Sequence, residues 1–143
     1  MWRTMGMWLI GSALLATAAM LSASEPATDA ALGEELVRGF FANPAGASLA
    51  AGFQSVHQDG ARDRDAERAL LQQLQLGDFE LADFKVTREA DLLIVTYSVA
   101  AQEMIDGQPV SKEPSYRLSV FIPDGEDWQL LAHASLVAIQ PQR

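Results

Sequence analysis

Residues 92–101, Leu-Leu-Ile-Val-Thr-Tyr-Ser-Val-Ala-Ala, and residues 116–122, Tyr-Arg-Leu-Ser-Val-Phe-Ile, decide the fold. In the first, Leu93, Val95, Tyr97, Val99 and Ala101 fall at every second position, with Leu92, Ile94 and Thr96 between them. A period of two sends these two sets to opposite faces of a strand. Apolar residues in both sets predict a strand covered on both faces at its middle. In the second, Tyr116, Leu118, Val120 and Ile122 alternate with Arg117, Ser119 and Phe121. Phe79–Arg88 and Trp128–Ile139 read as two more strands. The turn signals Asp106-Gly107 and Pro123-Asp124-Gly125 set strands side by side through short loops.

Upstream of Gly77 the period is helical. Leu32, Leu36, Val37, Phe40 and Phe41 form one stripe, capped by Thr28 or Asp29 and ended by Asn43-Pro44. Ala45–Gly52 is a small-residue segment with room for a helical turn or two, and Phe53–Val56 is a brief strand. After the punctuation Gln58-Asp59-Gly60, Asp59 or Asp63 caps a second helix with Ala66, Leu70 and Leu74 on one face. Arg62, Asp63, Arg64, Asp65, Glu67 and Arg68 fill the other, where Arg64–Glu67 and Asp65–Arg68 stand three apart as opposite charges. Such a run is a solvated face or a partner-docking patch. Helices followed by four closely linked strands predict an α+β domain with an antiparallel sheet.

The 143 residues suffice for one domain, and 49% apolar against 20% charged is a globular composition. With no cysteine, disulfides, zinc-thiolate sites, thiol nucleophiles and lipidated cysteines are excluded. A net charge of −9 argues against a nucleic-acid partner, because phosphate binding needs clustered Lys and Arg. Trp8–Leu21 is an unbroken apolar or small-residue stretch of 14, shorter than the roughly 20 residues that span a bilayer. With Arg3 before it and Ser22-Ala23-Ser24 after it, residues 1–23 read as a signal peptide and 24–143 as one exported domain, periplasmic or secreted. Without residues 1–23 the chain keeps 9 basic against 19 acidic residues, a net of −10, which favours solubility and repels anionic membranes.

Three stretches carry a resemblance. Phe53-Gln-Ser-Val-His-Gln-Asp-Gly-Ala-Arg62 resembles the link between helices and sheet in the nuclear transport factor 2-like (NTF2-like) superfamily, in its small, exported, SnoaL-like bacterial branch. Tyr116–Phe121 resembles the penultimate strand of those proteins. Gly125-Glu-Asp-Trp-Gln-Leu-Leu-Ala-His-Ala-Ser135 resembles their last turn and strand. The resemblance covers residues 30–140. It implies a cone in which N-terminal helices pack on a strongly curved antiparallel sheet, a cystatin-like shape with a pocket between the layers. It also implies frequent dimerisation through the sheet, and the partners expected are a second copy of the chain and a small apolar ligand. It implies no reaction, since the superfamily holds isomerases, dehydratases, cyclases, transport adaptors and plain binding proteins.

Five residues could carry chemistry. On the last strand, His133 shares its face with Gln129, Leu131, Ser135 and Val137, with Trp128, Leu130, Ala132 and Ala134 opposite. It reads as a satisfied core histidine, or as a pocket general base, because imidazole titrates near neutrality. The Tyr97 hydroxyl packs in the core or polarises a ligand carbonyl. Arg117 is solvated, ion-paired, or set against a ligand carboxylate. Ser135 and His57 complete the candidate ligand-binding set. His57, Asp59 and His133 formally match a two-histidine, one-carboxylate metal triad, but the turn reading of Asp59 is the better one. No phosphate loop, nucleophile elbow or His-Glu-x-x-His run occurs, so no metal and no cofactor is expected. The leading expectation is a noncatalytic ligand-binding or interaction domain. The alternative is a ketosteroid-isomerase-like or polyketide-cyclase-like enzyme moving a proton on an apolar carbonyl substrate, with His133 as base.

Overall fold

The computed structural model describes residues 27–105, 107–109 and 113–137. The signal-peptide reading of residues 1–23 falls outside them. The first helix, α1 (Asp29–Ala42), begins where Thr28 Oγ1 accepts from the Ala31 N–H, one of the donors a helix start leaves free. A short 3-10 turn (Pro44–Gly46) follows, and then β1 (Leu49–His57) and β2 (Gly60–Asp63). Next come α2 (Arg64–Gln73), β3 (Gln75–Glu89), β4 (Leu92–Ile105), β5 (Gln108–Pro109), β6 (Ser115–Asp124) and β7 (Asp127–Ser135). Asp63, not Asp59, caps α2, its carboxylate accepting from the Ala66 N–H.

The strand order is β2-β1-β7-β6-β4-β3, with β5 paired to β4, so the sheet is open and not closed into a barrel. The α+β class and the helix-on-sheet architecture are as the sequence predicts. Two features differ. The strand expected at Phe53–Val56 is longer, Leu49–His57, and is joined by β2 before the second helix, and β1 runs parallel to β7. The other pairings are antiparallel. Residues 45–52 give no helix beyond the 3-10 turn, because β1 starts at Leu49 and its Leu49 pairs with Leu130. Gln58 and Asp59 turn the β1–β2 hairpin, and Gly60 follows at φ +141°, a backbone that side-chain-bearing residues avoid.

Both helices pack on one face, where the core gathers Val37 and Phe41 of α1, Leu71 of α2, and Leu93, Val95, Tyr97, Val99, Phe121 and Leu130 of the sheet. A methyl at Gly33 would sit 2.8 Å from both Val86 methyls, so α1 approaches β3 closely only because that position lacks a side chain. The opposite face is not buried by a helix among the described residues. There Leu92, Ile94, Thr96, Leu118, Val120 and Ile122 remain half-buried, which corrects the expectation that β4 is covered on both sides.

Two bulges rewrite which side chains face inward. Between Ala82 and Lys85 the β3 register shifts, with Asp83 at φ 55°, and Phe84 comes to stack on Tyr97 with centroids 5.7 Å apart. On β7 the pairing steps from Phe121↔Leu130 to Val120↔Ala132, leaving Leu131 unpaired. That extra residue flips the alternation, so Leu130 points inward together with His133 and Ser135. Strict alternation had placed Leu130 opposite His133.

Candidate functional site

The register lines up the candidate residues. Val95↔Ser119↔His133↔Ser55 forms one rung across β4, β6, β7 and β1. Tyr97↔Arg117↔Ser135 forms the next, and His57 extends it one step beyond the Val56↔Ala134 pair. Directly opposed side chains on one face lie about 5 Å apart. All five candidate site residues therefore meet on the inner face.

A chain of hydrogen bonds links them. Arg117 Nη1 donates to Ser135 Oγ at 2.6 Å, and Ser135 lies 3.3 Å from His133 Nε2. Since Ser135 accepts from Arg117, its own proton is directed at Nε2. That assignment makes Nδ1 the protonated nitrogen of His133, donating to Ser119 Oγ at 3.1 Å. The Tyr97 hydroxyl closes the chain on Ser119 at 3.1 Å. Burial, with the charge of Arg117 beside it, pushes His133 down to about 3, so the ring is neutral at neutral pH. Burial likewise holds the Tyr97 phenol up at about 12.

The chain ends on an incompletely satisfied cation. Arg117 Nε is buried with no partner, and Nη2 reaches Glu103 Oε1 only at 3.6 Å. Both side chains are mostly buried, at 15% and 10% exposure. Arg117 is thus an inner-face group, mostly buried and ion-paired to Glu103, with its Nε left unpartnered.

A second cluster adjoins the first and was not legible as a site. Glu67 projects from α2 into the interior at 1% exposure, where Ser55 Oγ donates to its Oε2 at 2.8 Å. His57 Nε2 lies 2.9 Å from Oε2 and 3.2 Å from Oε1. Burial raises the carboxyl, but the hydrogen bonds from His57 and Ser55 outweigh it and leave Glu67 below its ordinary value. The His57 and His133 rings stand 5.8 Å apart. The α2 stripe is accordingly rotated by one residue: Glu67 and Leu71 are buried while Ala66 is exposed. Arg64 pairs with Asp65, not with Glu67. The available signal was the alternation of Phe53, Ser55 and His57 on β1, which sets two polar groups on an otherwise apolar face and calls for a polar partner across from them.

Asp59 turns away from both histidines and binds Arg62 Nη2 at 2.6 Å. Among the described residues no group of three or more His, Asp or Glu side chains is placed to hold a metal ion. A cavity of about 350 Å³ opens between the second half of α1 and β6–β7, lined mainly by Leu36, Phe40, Phe121, Trp128 and Leu130. None of the five candidate residues lines it. Phe40 stands between, its ring 5.6 Å from that of His133.

A scan against protein-family models found no match, nor did a search of the curated proteins. Solved structures do match. An NTF2-like protein of unknown function in nutrient uptake from Rhodospirillum rubrum superposes with a TM-score of 0.66 at 20% identity, covering 78% of this chain and all of that one. The calcium/calmodulin-dependent kinase II hub of S. rosetta gives 0.58 at 16% identity, covering 79% and 99%. A candidate ketosteroid isomerase from Shewanella frigidimarina gives 0.52 at 19%, covering 73% and 94%. At these identities the likeness establishes the fold, an NTF2-like α+β domain. The neighbours divide among unassigned, assembly and isomerase proteins, so the fold alone selects no activity.

Proposed function

We propose that the chain is an exported small-molecule-binding domain of the SnoaL-like kind, taking a small, largely apolar ligand that carries a carboxylate. Arg117 carries this reading. A guanidinium offers five donors in a planar fork suited to a carboxylate, and here one of them is buried and unused. A ligand carboxylate at Arg117, assisted by Ser135 and with His57 beyond it, completes what the protein leaves open. Export rests on the 14-residue apolar stretch Trp8–Leu21.

The enzyme reading with His133 as base is less well supported, because a base with a pKa near 3 and both ring nitrogens engaged takes up protons poorly at neutral pH. A homodimer through the outer sheet face is favoured by the exposed Tyr116 and Val56, 59% and 56%, beside half-buried Leu118, Val120 and Ile122.

The test is ligand-observed NMR with levulinate, hexanoate and octanoate on the purified protein. Saturable binding of at least one, lost in Arg117→Gln, is expected. No saturable binding, or equal binding by the variant, refutes the reading. Turnover of a carbonyl compound that a folded His133→Ala variant lacks would restore the enzyme reading.

A further inference from the structure

We propose that His57 is the proton-accepting group of this site and that Glu67 is the residue that positions it. The inference rests on the carboxylate-binding reading and extends it from holding a ligand to reacting with one.

The argument is geometric. Glu67 is a carboxylate on α2 sealed from water at 1% exposure, and its partners are Ser55 and His57. Burying a carboxylate is costly unless donors satisfy it, so both partners must present hydrogens to it. In the neutral ring the His57 proton therefore resides on Nε2, and Nδ1 keeps its lone pair. Nδ1 makes no hydrogen bond among the described residues, and the side chain keeps 16% of its surface exposed. A buried carboxylate that fixes the tautomer of a partly open imidazole, and stabilises its cation once formed, is the arrangement that makes histidine an effective base. His133 has the opposite situation, with both nitrogens engaged at 4% exposure. The two histidines divide the work: one belongs to the core network, the other is available.

The titratable and charged groups facing His57 are Glu67 from α2 and His133 from β7. Asp59, two residues on, is turned to Arg62. Arg117 lies two strands away across Ser135, about 10 Å by strand spacing. On this reading a short keto acid sets its carboxylate at Arg117 and an acidic C–H toward His57. The step moves one proton. The α-carbon proton passes to Nδ1, the C–H electron pair becomes the C=C bond of the enolate, and the carbonyl oxygen takes the negative charge. Return of a solvent-exchanged hydron from the imidazolium restores the ketone, so nothing is oxidised or reduced.

Two measurements test this on the purified full chain. In D2O, levulinate should lose its α-hydrogens by proton NMR at least tenfold faster than with equimolar imidazole. His57→Gln should abolish the excess. Diethyl pyrocarbonate, which acylates unprotonated imidazole, should modify His57 and spare His133, and Glu67→Gln should slow that reaction several-fold with Glu67→Asp recovering part of it. Exchange no faster than imidazole, equal exchange by His57→Gln, or an unreactive His57 overturns the proposal. Arg117→Gln separates it from the binding reading: loss of levulinate binding with His57 reactivity intact is expected. If wild type binds none of levulinate, hexanoate and octanoate saturably while levulinate exchange through His57 still exceeds that of imidazole, the binding reading alone fails.

Discussion

Replacing His133 by glutamine should flatten the dependence of stability on pH, and the size of the effect follows from burial. The folded protein holds this imidazole neutral down to about pH 3, whereas the unfolded chain protonates it near 6.5. Above pH 6.5 both states are neutral and the group contributes no pH dependence. Below it the unfolded state binds a proton that the folded state refuses, so stability falls as pH falls, by up to 1.36 kcal/mol per unit. Two pH units of the span from 7.5 to 4.5 lie below the unfolded pKa, so the loss from this one group is about 3 kcal/mol. Glutamine fills similar space and keeps a donor and an acceptor for Ser119 and Ser135, but it cannot titrate. Urea denaturation at the two pH values, followed by tryptophan fluorescence, gives the stabilities. The difference between wild type and variant should shift by about 3 kcal/mol in favour of the variant at the lower pH. A shift below about 0.5 kcal/mol would show that His133 takes up its proton without unfolding, and the buried-neutral account would be wrong.

Glu67→Ala should destabilise by about 3–5 kcal/mol at neutral pH, because it strips the acceptor from two partners and opens a void; a loss under 1 kcal/mol in the same urea assay counts against the paired-carboxylate description. The folded-state pKa of Glu67 is depressed, so its contribution is present above pH 4.5 and fades as pH falls through the folded value. The wild-type advantage over Glu67→Gln should shrink accordingly in acid. In a Tyr116→Phe background, ultraviolet titration should show no phenol ionisation below about pH 11, as Tyr97 is the remaining tyrosine. Val120→Asp should convert a sedimenting dimer to monomer with the fold intact by circular dichroism; a monomeric wild type at micromolar concentration removes the dimer.

The strands after Gly77 were legible because period-two alternation survives in β4 and β6, whose inward and outward sets differ. The β7 alternation was legible too, but its bulge was not: Leu131 looks like any other strand residue, and only the pairing with β6 reveals that it is skipped. Parallel pairing of β1 with β7 left no local trace either, since it joins segments some 80 residues apart whose side chains suit either direction. Glu67 was hidden for a different reason. It stands in a run of six charges, and a charge in such a run reads as solvated until its partners come into view. The Ser55–His57 spacing was the clue. Arg117, His133, Ser135, Tyr97 and His57 were each recognisable as polar groups within apolar stretches, but their convergence depended on a register that the sequence does not print.

The parallel seam between β1 and β7 also dictates an order of events. β1 is made early and has only the four residues of β2 beside it until the last strand emerges, because its other neighbour is β7. During synthesis and any passage across a membrane, a long apolar strand edge therefore waits unpaired, which is the state most prone to aggregate or to engage a chaperone. β7 joins β1 to β6, so a chain cut short before Asp127 leaves both of those strands as open edges.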